Sequence, residues 1–293
     1  MRRGLWYMVI GAFFFSVMSA LVKLAGRHIP SQELVLARGV VTLVLSYLAL
    51  VRLRVPIWGN HKGWLVARGL AGFGALSCYY YAVTSLPLAD AAVIQYTNPI
   101  FTAILAALFL RERLRRIDVL GAIASLAGVV LVARPSFLFG GASLDPLAVG
   151  VALCGAILSA VAYVIIRGLR GTEHEMVVVF YFPLVAVPAS IPAAIPGAVW
   201  PTPLEWLIVL GIGVVTQIAQ VYMTRGLHLE PAGRATSMSY LQVVFAYAWG
   251  VLVFAEYPNV TSVLGGALVL ASTLIVARRA ITPSAVDAGT ASD

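Results

Sequence analysis

Pro87-Leu88-Ala89-Asp90-Ala91-Ala92 opens a stretch that continues through Leu108-Phe109-Leu110-Arg111-Glu112-Arg113 to Gly121 and Arg134, and its likeness returns from Pro231 to Arg278. One ungapped offset of 144 residues (256 − 112) aligns Pro87 with Pro231, Tyr96 with Tyr240, Phe101 with Phe245 and Glu112 with Glu256. The register carries on through Leu120 and Leu264, Gly121 and Gly265, Leu126 and Leu270, Ala133 and Ala277, and Arg134 and Arg278. Leucine and valine would coincide by composition alone; proline, tyrosine, glutamate and arginine would not. The same offset pairs Gly11 with Gly155, Ala12 with Ala156, Val17 with Val161 and basic Lys23 with basic Arg167, so the duplication spans both halves.

The unit that is duplicated belongs in lipid. The chain has 293 residues, 61% hydrophobic and 11% charged, with a mean hydropathy of +0.94, more apolar surface than one soluble core can bury. Crossing roughly 30 Å of hydrocarbon takes about 20 apolar residues per helix, and long continuous apolar runs exclude the alternating pattern of a β-barrel. Ten spans are expected, at residues 5–25, 32–51, 64–84, 89–110, 117–133, 146–167, 176–196, 204–224, 234–254 and 260–277. The fold class is therefore an all-α membrane protein. Residues 1–138 form the first five-helix repeat, 145–279 the second, and the small, polar residues 280–293 a disordered cytoplasmic tail.

Five helices per copy is an odd number, so the second copy enters the bilayer from the side opposite to the first. Two inverted repeats related by an in-plane pseudo-two-fold are the plan of alternating-access carriers. Charge sets the orientation. Of the 20 basic residues, sixteen, from Arg2 and Arg3 through Arg52, Arg54, Lys62, Arg68, Arg111 and Arg167 to Arg278 and Arg279, fall on one side of this map, against Lys23, Arg27, Arg38 and Arg134 on the other. That bias places both termini in the cytoplasm and accounts for the net charge of +8 without nucleic acid. Cys78 and Cys154 lie inside spans with no metal-ligand spacing and read as buried free thiols.

The segment Tyr80-Tyr81-Ala82-Val83-Thr84-Ser85-Leu86-Pro87-Leu88-Ala89-Asp90-Ala91-Ala92, with Pro99, Leu108 to Arg113 and Gly121 to Arg134, resembles the EamA-type half of the drug/metabolite transporter superfamily, as does its second copy from Leu229 to Arg278. The resemblance implies a multi-pass carrier of the bacterial inner membrane that exports a small metabolite. Its overall look is nearest to YddG-like aromatic amino-acid exporters, which implies amino acids including aromatic ones, with a broad-specificity drug or metabolite exporter as the alternative. The second copy departs from the first at Val243, where the first has Pro99, so a kink at that level is expected on one side only.

Polar residues inside spans mark helix packing or a substrate path. All twelve acids fall at span ends, in loops or in the tail, which leaves no mid-depth carboxylate for a proton relay and favours facilitated movement. Glu112 and Glu256 each close a helix, either as structural caps or as gates, and Pro99 permits a kink in the fourth span. Lys23 and Arg38 either snorkel to the interface or attract an anionic substrate group. The expected pocket is uncharged and edged by aromatics: Gln95 and Asn98 on one face of the fourth span, Gln217 and Gln220 on the eighth, Tyr240 and Gln242 on the ninth, and Tyr79 and Tyr80 on the third. Pro183, Pro188, Pro192 and Pro196 bend the seventh span. Gly121, Ala124, Gly128, Gly265 and Gly266 permit close packing of the fifth and tenth. No catalytic or metal-binding constellation is present: His28, His61, His174 and His228 sit in or near loops without HExxH or GxSxG. The expected partners are a small-molecule substrate and the bilayer, with no cofactor and nothing that demands more than a monomer.

Overall fold

The computed structural model describes residues 3–26, 28–140, 144–196, 198–255 and 259–279; they form helices and connections, with no strand among them. The tail at 280–293 and Glu256 lie outside the described residues. Thirteen α-helices follow in chain order: α1 Arg3–Ala25, α2 Ser31–Leu53, α3 Lys62–Ser85, α4 Leu88–Gln95, α5 Asn98–Phe109, α6 Arg116–Ala133, α7 Ser136–Phe139, α8 Pro146–Gly168, α9 Glu175–Ala194, α10 Pro203–Leu229, α11 Ala232–Ser237, α12 Leu241–Phe254 and α13 Val260–Arg279. Among the described residues nine helical stretches are long and apolar enough to cross a membrane, α4–α5 and α11–α12 each counting as one. The 24-residue α3 falls outside that set. Arg68 and the run Tyr79-Tyr80-Tyr81 lower its hydropathy, and these residues prove to have other work.

Local chemistry sets the ends. Asp145 caps α8 by accepting the Leu147 N–H, with Pro146 in the first turn, where its missing N–H costs nothing. Thr202 and Glu205 form a reciprocal capping box on α10. α9 continues through Pro183, Pro188 and Pro192 and stops at Ala194. The fourth span breaks at Tyr96–Thr97. Pro99 cannot donate to the Gln95 carbonyl, and the Asn98 side chain takes that place, Nδ2 to O at 2.9 Å, while Thr97 Oγ1 donates to the Ile94 carbonyl at 2.6 Å. The expected one-sidedness does not hold. The second copy breaks at the same level, through a 3₁₀ turn at Met238–Tyr240, without a proline. There Thr236 and Ser237 donate their hydroxyls to the Ala232 and Gly233 carbonyls four residues back, a side-chain competition that bends helices.

Packing obeys an exchange rule between the halves. α1 packs on α10 and α8 on α3; α1 on α12 and α8 on α5; α3 on α9 and α10 on α2; and α2 meets α9 and α6 meets α13 across the middle. Gly4, at the start of α1, abuts Leu229 and Glu230 at the end of α10. Arg167, at the end of α8, donates to the Leu227 and His228 carbonyls at that same end. α1 and α8 therefore run in opposite directions. The connections gather at two ends: Asn60 and His61 donate to Glu173 at the end that holds Arg167, whereas at the other Val199 donates to Glu33 and Ser262 to the Val132 carbonyl.

Gly128 and Gly265 bring α6 and α13 into backbone contact: a Cβ on either would lie 2.7 or 2.5 Å from the other's carbonyl oxygen. A Cβ at Gly121 would meet Val276, whereas Gly266 meets nothing within 4 Å and takes no part. Leu108, Phe109, Leu120, Leu204, Leu207 and Leu252 are exposed along the outside of helices, as lipid-facing residues are. Exposed Trp6, Trp58 and Trp64 sit at one end and Trp200 and Trp206 at the other, the arrangement of interfacial aromatic belts. Cys78 is half-buried, and Cys154, against expectation, is exposed, because it lies on the outward face of α8.

Candidate functional site

A cavity of ≈ 290 Å³ opens between α1, α2, α3, α4, α5, α8, α9, α10, α12 and the turn before α12. The repeat determines who lines it. At the offset of 144 its walls pair Phe15 with Ser159, Met18 with Ala162, Ser19 with Tyr163, Arg38 with Phe182, Leu76 with Gln220, Tyr79 with Met223, Gln95 with Ser239 and Asn98 with Gln242. The chamber is thus lined by both members of eight equivalent pairs. The two helix breaks make it possible, since they turn Gln95, Tyr96 and Asn98 on one side and Ser239 and Gln242 on the other towards the space.

Of the residues expected in the pocket, Gln95, Asn98, Tyr79, Gln220 and Gln242 line this cavity, and so does Arg38, expected either to snorkel or to attract an anionic group. Gln95 Nε2 donates to Ser159 Oγ at 3.0 Å, and Asn98 Oδ1 is buried with no hydrogen-bond partner. Gln217 does not line it. Ser46 donates to Gln217 Oε1 at 3.0 Å behind the wall, so this amide joins α2 to α10. Tyr80 faces a second space, ≈ 310 Å³, between α2, α3 and α9; Leu76 borders both spaces. Tyr240 stands behind Tyr96, ring centroids 6.2 Å apart, and is fully buried. Lys23 is absent from the lining and lies 4.3 Å from the Phe254 ring centroid.

The expectation of an uncharged pocket is wrong. Arg68, assigned by the charge count to the cytoplasmic side, is 3% exposed and lines the cavity beside Arg38. The count misplaced it because Arg68 lies barely one turn inside the third span, where sequence cannot tell an interfacial arginine from one turned inward. A signal was present. Arg68, Gly72, Ala75, Leu76 and Tyr79 recur at helical spacing and form one stripe of α3 that faces the cavity.

At the end holding the α5–α6 connection, Glu112 ties the two halves together. Its Oε1 accepts from Arg167 Nε at 2.7 Å and its Oε2 from the Ala232 N–H, the first amide of α11, at 2.7 Å. Arg170 stands 3.8 Å from Oε1. Burial raises the Glu112 carboxyl above its ordinary value, and the Ala232 amide, Arg170 and Arg234 offset this in part. The latched arrangement therefore holds a proton on Glu112 more readily than one with the carboxyl in water. Nearby, Arg234 makes a two-pronged pair with Asp118 at 2.9 and 3.1 Å. Each described acid sits in a first helical turn, at a cap or in a connection; Asp90, in the first turn of α4, is fully buried and accepts from Ser136 Oγ.

The model of the EamA-like transporter family matches this chain twice, at residues 2–134 and 146–278, stretches that both begin and end 144 residues apart. The chain belongs to that family. This EamA-like protein is 34% identical to the pseudopaline exporter CntI of Pseudomonas aeruginosa (strain UCBPP-PA14) over 279 residues, which cover 95% of this chain and 97% of the relative. It is 30% identical to mouse solute carrier family 35 member G1, over 92% of this chain and 77% of the relative. A chain in a solved crystal structure superposes with a TM-score of 0.82 at 22% identity, covering 95% and 99% of the two chains, a likeness of fold alone. The EamA-like chain is a multi-pass membrane transporter of small molecules.

Proposed function

We propose that this EamA-like chain is a ten-span carrier built from two inverted five-helix repeats, with both termini in the cytoplasm of a bacterial inner membrane, and that it exports a small metabolite by alternating access. The observation that carries this reading is the cavity lined by equivalent residues of both copies. A site on the pseudo-two-fold axis can be exposed to either side by rocking one copy against the other, at equal cost to the repeated contacts. The opposite run of α1 and α8 and the exchange-symmetric packing support the inversion. Tyr79, Gln95, Asn98, Gln220 and Gln242 contact substrate, with Arg38 and Arg68 beside them. The Glu112–Arg167 latch, with the Ala232 amide, is the cytoplasmic gate, and Pro99 marks the helix break beside the site. The direction of transport follows the relative named as an exporter. An aromatic amino acid fits this chamber less well than the sequence suggested, since a zwitterion leaves a buried guanidinium without counter-charge.

Counterflow in proteoliposomes tests the carrier reading. A saturable flux accelerated by substrate on the far side is expected, and linear, unaccelerated flux would mean a pore. Single cysteines at Arg113 and Arg134, without Cys78 and Cys154, should label from opposite faces; labelling from one face would end the inverted arrangement.

A further inference from the structure

We propose that the cavity is a clamp for a substrate carrying at least two carboxylates, one held by Arg38 and one by Arg68; this rests on the transport reading above. Arg68 Nη2 donates to Gln220 Oε1 at 3.2 Å, and its guanidinium carbon lies 4.8 Å from the Phe182 ring centroid, which fixes the plane of the group. Its Nε and Nη1 are buried with no hydrogen-bond partner. Each is a charge-assisted donor left open to a carboxylate oxygen. Arg38 Nη1 donates to Met18 Sδ at 3.3 Å, a weak acceptor that leaves the charge uncompensated.

Among the described residues no aspartate or glutamate lines the cavity. Two guanidinium groups in a shared low-dielectric chamber repel one another and lose hydration, so a ligand must bring the negative charge that the protein lacks there. The charge belongs to the first copy alone, because the equivalent positions in the second are Phe182 and Ile212. In the wall of the same cavity Asn98 Oδ1 is an unpaired acceptor, which suits an amine or hydroxyl on the backbone that joins the carboxylates.

The probes are glutarate, glutaramate and glutaramide, of one length and with two, one and no negative charges. A full-length protein carrying Ala92→Cys in the cavity wall, with Cys78→Ser and Cys154→Ser, is reconstituted and challenged with a maleimide. Protection is expected to weaken about tenfold or more at each step from glutarate to glutaramide. Arg68→Gln should bring glutarate to the level of glutaramate, and Arg68→Lys, which keeps the charge, should lie between; monodispersity of each variant shows that it folds. Equal protection by all three probes, protection by none, or an unchanged preference in both Arg38→Gln and Arg68→Gln overturns the clamp. Counterflow with the same probes separates the two readings. Charge-selective protection without exchange sinks the carrier, whereas exchange without charge selectivity sinks the clamp.

Discussion

Arg38 in the first copy and Phe182 in the second stand at equivalent places in the wall of one cavity, and Arg68 meets its counterpart in Ile212, which is buried away from it. Asn98 and Gln242 and the helix breaks beside them have stayed alike in the two copies. Glycine, proline, hydroxyl and apolar positions shared by the copies fix where the chain goes, and a few side chains that diverged fix what the site can hold.

The comparison can be broken most severely where the copies touch. Gly128→Leu should abolish folded protein, because its Cβ would fall 2.7 Å from the Gly265 carbonyl, while Gly266→Ala should leave the yield unchanged; detergent-solubilised, monodisperse protein is the measure. If Gly128→Leu folds normally, α6 and α13 do not pack as described. Glu112→Ala should come next. It leaves Arg167, whose side chain is 6% exposed, without its carboxylate and the Ala232 amide without its acceptor, a loss of about 3 kcal/mol on chemical denaturation, and Glu112→Gln should lose less. Equal, negligible losses in both would show that the halves are not joined there.

A smaller effect separates binding from packing within one class of residue. Asn98→Ala should weaken half-saturation roughly tenfold with stability kept, as the loss of one substrate hydrogen bond does, whereas Gln217→Ala should cost about 1 kcal/mol of stability and leave half-saturation alone. The reverse result would move the site to the α2–α10 contact. Smallest of all should be Asp90→Asn: flux at a fixed substrate gradient is expected to continue when the pH gradient is collapsed, in this variant and in the parent alike. Loss of flux in the parent would install a proton couple that no mid-helix carboxylate now explains.

Sequence by itself determined the duplication, the helical class and five polar residues of the cavity wall, because hydrophobic length and internal repetition are local properties that no packing can undo. It also located Glu112 and offered its two roles. Only the tertiary structure decided which face each polar residue presents. Gln217 and Gln220 lie three residues apart on α10, yet one bonds Ser46 and the other Arg68. Arg68 reads as an interfacial cation until α9 and α10 close over it, and the second helix break is invisible without the hydroxyls that bend it. Charge in a membrane protein takes its meaning from depth and neighbours, and those are set by how helices distant in sequence meet.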